Sequence, residues 1–174
     1  MRSEALLQRA DARLRYATYA FAAAVILHNA DHLRRGLATL SQSVAVVGIA
    51  GILLEVAIVI LVLQRNRLAP LVATAGGIAL AAGYLEVHFL PPHGFLSDAF
   101  VGVSGVSLLS YAAASLEVAA ALGIAVTGWL RLSMPGHPQP PALGWRDTLR
   151  QPVVALILLT QAATLGVVVV QHVT

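Results

Sequence analysis

The chain has no cysteine, no lysine and little charge of either sign. Without cysteine there is no disulfide scaffold, iron–sulfur cluster, thiolate metal site or thiol catalysis. Without lysine, and with no serine in an elbow context, nucleophilic catalysis has no support. A phosphate-binding loop is also missing, because the Gly76-Gly77 pair falls inside an apolar run. Charged residues make up only 11% of the 174 positions, against about 25% in a soluble domain. Eleven cations and eight anions cannot coat a water-soluble globule of this size. Disorder is excluded by the same count, since 58% of the residues are hydrophobic.

What is present is apolar length. Mean hydropathy is +0.80, and five stretches approach the roughly 20 residues that cross a hydrocarbon core. They are residues 16–33, 44–63, 68–90, 99–130 and 153–170. The expected fold is an all-α integral membrane protein of five transmembrane helices. Residues 1–15 form a cytoplasmic amphipathic segment, with Ala5, Leu6, Ala10 and Leu14 spaced for a helix lying on the membrane surface. Residues 16–63 form a first hairpin and 68–131 a second. Residues 132–152 are a Pro/Gly-rich linker with an interfacial part, and 153–174 carry the fifth span. Pro91-Pro92 breaks the third span. Ser97 or Asp98 is expected to cap the fourth, which is longer than a crossing needs and so must tilt or project.

All eleven basic residues are arginine, a coding bias rather than a mechanism. Nine of them (Arg2, Arg9, Arg13, Arg15, Arg65, Arg67, Arg131, Arg146 and Arg150) fall on one side of this topology, and only Arg34 and Arg35 on the other. The positive-inside rule therefore puts the N-terminus in the cytoplasm and the C-terminus outside, in a cell membrane such as the plasma membrane of a prokaryote. The net charge of +3 reads as membrane-flanking charge; the partner is the lipid bilayer, not nucleic acid.

A weak duplication runs through the chain. Leu54-Glu55-Val56-Ala57 recurs as Leu116-Glu117-Val118-Ala119, and His28 is matched by His88. The offsets are 62 and 60 residues. A copied hairpin would form a four-helix bundle about an axis along the membrane normal, with the fifth span appended.

Ionisable groups inside a bilayer cost on the order of 2.5–3.5 kcal/mol each on insertion scales, so they face the bundle interior and find partners. His28 and His32 are four apart and share a helix face, the spacing by which one helix offers two imidazoles to one metal. Asp31 lies beside them. The third span adds Tyr84, Glu86 and His88, with the Tyr84 phenol one turn from the His88 ring it could orient, and His93 follows the double proline. Glu55 and Glu117 complete the set. At 1.5 Å per residue, Glu117 would lie almost 30 Å below a helix start at Ser97, and Glu55 roughly 20 Å below the start of its helix. His28 lies only roughly 12 Å below Gly36 by the same rise. An outer histidine layer above a deeper carboxylate layer is therefore expected.

The candidate metal ligands are His28, His32, His88, Asp31, Glu55, Glu117, Glu86 and His93. Imidazole and carboxylate without thiolate suit Zn, Fe, Mn or Cu(II), in a redox or hydrolytic metalloprotein. The alternative cofactor is haem b on axial His28 and His88. Gly76, Gly77 and Gly83 would then make room for the porphyrin, and Arg34 and Arg35 would bind its propionates. A proton or cation relay through Glu55 and Glu117 is a further class. An accessory role in a homo-oligomer or larger membrane complex is another, with Ala162 and Gly166 as small residues on the fifth span.

Overall fold

The structure is a computed structural model that describes residues 2–36, 40–92, 97–103, 106–134 and 142–173, with side chains described for 5–167 of these. It is all-helical, with no strand among the described residues. Helix α1 is Arg2–Arg35, α2 is Gln42–Leu63, and α3 is Ala69–Tyr84 with a π-helical turn, Leu85–Phe89, at its end. Then come α4 (Leu108–Leu132), the short α5 (Trp145–Leu149) and α6 (Pro152–Val173).

Each boundary has a local cause. Helix α1 stops at Gly36, which takes φ +87° while its N–H still donates to the His32 carbonyl at 2.9 Å; only glycine enters that region freely. Ser41 caps α2 by accepting from the Val44 N–H at 3.2 Å. The π turn ends at Leu90 in extended conformation (ψ 150°), as a residue before proline must.

Helices α1, α2, α3 and α4 form a ring of neighbours: α1 touches α2 and α4, and α3 touches the same two. Helix α6 packs on α1 and α2. One core fills the ring, with Phe21, Val25, Ile58, Val59, Ile124 and Ile157 shut off from solvent. Many large apolar side chains instead face outward, among them Val46, Leu53, Ile78 and Leu116.

Among the described residues, three helices are long and apolar enough to cross a membrane: Gln42–Leu63, Ala69–Phe89 and Leu108–Leu132. Helix α1 has the length, but Asn29, Asp31 and two histidines dilute its apolar stretch. The apolar part of α6 found among the described residues is Pro152–Val167.

Two expectations change. The N-terminal segment is no separate surface helix; it continues without a break into α1. Its buried stripe is Leu7, Ala10 and Leu14, continued by Thr18, Phe21, Val25 and His28, while Leu6 is exposed. Asp11 anchors it by accepting from Nε of the buried Arg131 on α4 at 2.6 Å. The fourth helix also begins later than expected: its cap is Ser107, ten residues after Ser97 and nine after Asp98. The intervening Ala-Phe-Val-Gly-Val-Ser-Gly-Val-Ser (residues 99–107) is apolar but rich in glycine, serine and β-branched valine, all weak helix formers. Hydropathy alone cannot register that weakness.

Candidate metal centre

The ring interior near the C-terminal end of α1 collects the imidazoles. His28 and His32 are one turn apart on α1, and Nε2 of one lies 2.8 Å from Nε2 of the other. His88 arrives from the π turn, its ring centroid 4.8 Å from that of His28 and 5.5 Å from that of His32. One ring nitrogen from each of the three can be chosen so that all lie within 4.8 Å of one another, close enough to hold a metal ion. His28 and His88 are buried and His32 is half-buried.

The segment that was expected to be helical closes over this cluster. Residues 97–103 fold back on the π turn, where the Asp98 N–H donates to the Val87 carbonyl at 3.1 Å and the Phe100 N–H to the His88 carbonyl at 2.8 Å. These are carbonyls that a helix end leaves without partners. Phe100 is 1% exposed, packs on the His88 ring (centroids 4.6 Å apart) and lies under the Arg35 guanidinium. Tyr111 on α4 secures the segment by donating to the Phe100 carbonyl at 2.6 Å. His88 Nδ1 lies 3.2 Å from the Asp98 carbonyl oxygen and 3.5 Å from its carboxylate. A proton on Nδ1 is therefore shared with Asp98, which frees Nε2 to bind. Burial pushes the Asp98 carboxyl up from the ordinary range, against the pull of Arg35.

Protonation at the α1 pair follows from the arginine. Arg35 donates to His32 Nδ1 at 3.0 Å, and a guanidinium only donates. In the neutral pair, His32 then carries its proton on Nε2 and gives it to His28 Nε2. The proton of His28 is left on Nδ1, a buried atom with no hydrogen-bond partner.

Glu117 is 1% exposed, and its Oε2 lies 3.6 Å from His28 Nε2, also without a hydrogen-bond partner. The late start of α4 explains this placement. Counted from Ser107, Glu117 is about 15 Å along its helix, close to the depth of His28 below Gly36. The two expected layers therefore merge at this residue. Glu55 remains deeper and is engaged: Tyr84 donates to one oxygen and Gln161 of α6 to the other, each at 2.5 Å. The Tyr84 hydroxyl thus holds Glu55 rather than orienting His88.

The remaining candidates do not join. Asp31 is buried, but Arg34 donates to it at 2.7 Å and Arg35 at 2.9 Å. Arg34 also reaches Ser107 and Ser110, which fastens α1 to the start of α4. Glu86 is exposed. His93 lies outside the described residues. Asp98, Phe100 and Gln161 belong to the site, although their chemistry gave no ligand signal. Gln161 was the most readable of them, as a long amide within an apolar run.

Haem does not fit these residues. Imidazoles on either side of an iron would have centroids roughly 6 Å apart for metal–nitrogen bonds of about 2 Å. Those of His28 and His88 are 4.8 Å apart, and His32 already faces His28 Nε2. A Cβ on Gly76 would stand 2.8 Å from the Ile58 side chain, and one on Gly77 2.6 Å from the Ala121 carbonyl, so of the three glycines expected to make room for a ring only Gly83 borders open space. Arg34 and Arg35 are committed to Asp31. No protein-family model, curated protein or solved structure matches the chain, so its chemistry is read from this constellation of side chains.

Proposed function

We propose that the chain is an integral membrane protein holding one transition-metal ion on His28, His32 and His88 near the outer end of its helical ring. The observation that carries this reading is the convergence of three imidazoles, on two diagonal helices, beside the unpartnered Glu117 oxygen. Three protein ligands leave a position open, as catalytic sites require. Zn, Fe, Mn or Cu(II) suits the donor set, and such an ion supplies activated water or a redox step with oxygen. The chain's own groups do the rest. Binding of an ion by these two rings would displace the proton that His28 and His32 share. Binding through His32 Nε2 would need the His32 proton on Nδ1, where Arg35 now donates at 3.0 Å and the Asp98 carboxylate lies 4.0 Å away, so the Arg35 contact would have to give way to Asp98. Glu117 accepts a hydrogen bond from whatever fills the open position.

In this reading α1 and α6 also cross, which makes five spans with the N-terminus inside. The arginine-rich end lies in the cytoplasm and the histidine end outside. Support for a duplicated hairpin is that His28 and His88 lie on one diagonal of the ring and Glu55 and Glu117 on the other.

Elemental analysis with an absorption spectrum of the detergent-purified protein tests the assignment. Wild type should carry about one transition metal per chain with no Soret band. His28→Ala and His88→Ala should lose it, while His137→Ala keeps it. Full metal content in both site variants, or none in native wild type, would overturn the reading.

A further inference from the structure

A cavity of about 310 Å³ adjoins the histidine cluster and runs between α2 and α3. His28, His32, His88, Tyr84 and Glu117 line one end. The rest is apolar, with Val44, Ile52, Leu80 and Val87 in its wall. We propose that it binds a ligand from the bilayer with an apolar body of about ten carbons and a single hydroxyl head, the head donating to Glu117.

Three observations carry this. The space is built by residues without side chains. Gly48 on α2 and Gly83 on α3 both line it, and a Cβ on either would meet nothing within 4 Å. The chemistry of the closed end selects a donor, because Glu117 lines it and the buried Oε2 of that side chain accepts no hydrogen bond. An unsatisfied buried acceptor is costly, and a ligand hydroxyl removes that cost. The mouth selects the phase. Val47 both lines the cavity and is 48% exposed, and Val46 and Leu53 beside it on α2 are 60% and 62% exposed. Entry is therefore from an apolar helix face rather than from the polar loops. Size sets the length: a dry cavity of about 150 Å³ takes benzene, so one roughly twice as large takes about eleven non-hydrogen atoms.

The site exists whether or not a metal is bound, since the acceptor is a carboxylate of the chain.

The test is photolabelling in nanodiscs with a decanol carrying a mid-chain diazirine, followed by mass-spectrometric mapping. Labels should fall on α2 residues 44–54 and α3 residues 79–87. Unlabelled 1-decanol should compete at least ten-fold better than decane, the ratio that one hydrogen bond of about 1.4 kcal/mol provides. Gly48→Leu and Gly83→Leu, each projecting into open space, should each cut labelling at least ten-fold with metal content unchanged. Equal competition by decane would overturn the hydroxyl head. Labels spread evenly over the outer helix faces, or undiminished in both leucine variants, would overturn the site. Metal is measured on the same samples. Correct labelling of a metal-free protein sinks the metal assignment alone, and a metal-loaded protein without labels there sinks the ligand site alone.

Discussion

The two ends of the helical ring use glycine in opposite ways. Toward the arginine-rich end, Gly77 and Gly128 are where helices touch. A Cβ on Gly77 would meet the Ala121 carbonyl at 2.6 Å, and one on Gly128 the Pro70 carbonyl at 2.8 Å. Toward the histidine end, Gly48 and Gly83 border open space. Glycine content is thus no guide to packing in this molecule. What matters is whether the missing side chain is replaced by a neighbouring backbone or by nothing. Close backbone approach locks α3 to α4 at one end, and absence of approach leaves room for a ligand at the other.

The contrast is sharpest within α3 itself. Gly77→Ala pushes a methyl into a backbone carbonyl that cannot yield, so unfolding in detergent should show a loss of about 3 kcal/mol. An unchanged midpoint would mean that the tight end is not tight. Metal removal should act at the other end only. Stripping the ion with a chelator, from a free concentration about 100 times the dissociation constant, should cost about 2.7 kcal/mol. Hydrogen exchange should rise in the π turn and in residues 97–103, but not around Gly77 and Gly128. Asp98→Asn loosens the support of His88 and His32, and metal affinity should drop about ten-fold, read by competition with a chromophoric chelator. Gly83→Ala should give the smallest change and the opposite sign. With nothing to clash against, it should stabilise by about 0.5–1 kcal/mol through helix propensity.

The three histidines that the structure brings together stood out in the sequence because polar groups are sparse within its apolar runs. His28 and His32 declared themselves by their four-residue spacing, and His88 by its offset from His28. Asp31 was correctly marked as interior but not as occupied. Its two arginine partners are adjacent in sequence, yet their geometry depends on where α1 ends. Glu117 was placed too deep because the helix start was read from hydropathy. Residues 99–107 continue the apolar run but are rich in weak helix formers, and α4 begins only at Leu108. Phe100 is buried against His88 instead of lipid. The porphyrin reading drew on three glycines, and a glycine does not say whether its gap is filled: Gly76 and Gly77 are filled and Gly83 is not.

Composition and periodicity alone determined an all-helical chain with apolar helices of membrane-crossing length and few, costly interior polar groups. Those properties are the ones a hydrocarbon solvent would demand, since it satisfies no backbone hydrogen bond and solvates no charge. Tertiary structure alone decided which of those groups meet. Residues 97–103 fold back onto a π turn, Gly36 stops α1 one turn beyond His32, and Ser107 rather than Ser97 starts α4. Each of these sets a depth along the ring, and depth is a sum over helix starts, loops and tilts that no single stretch of residues encodes.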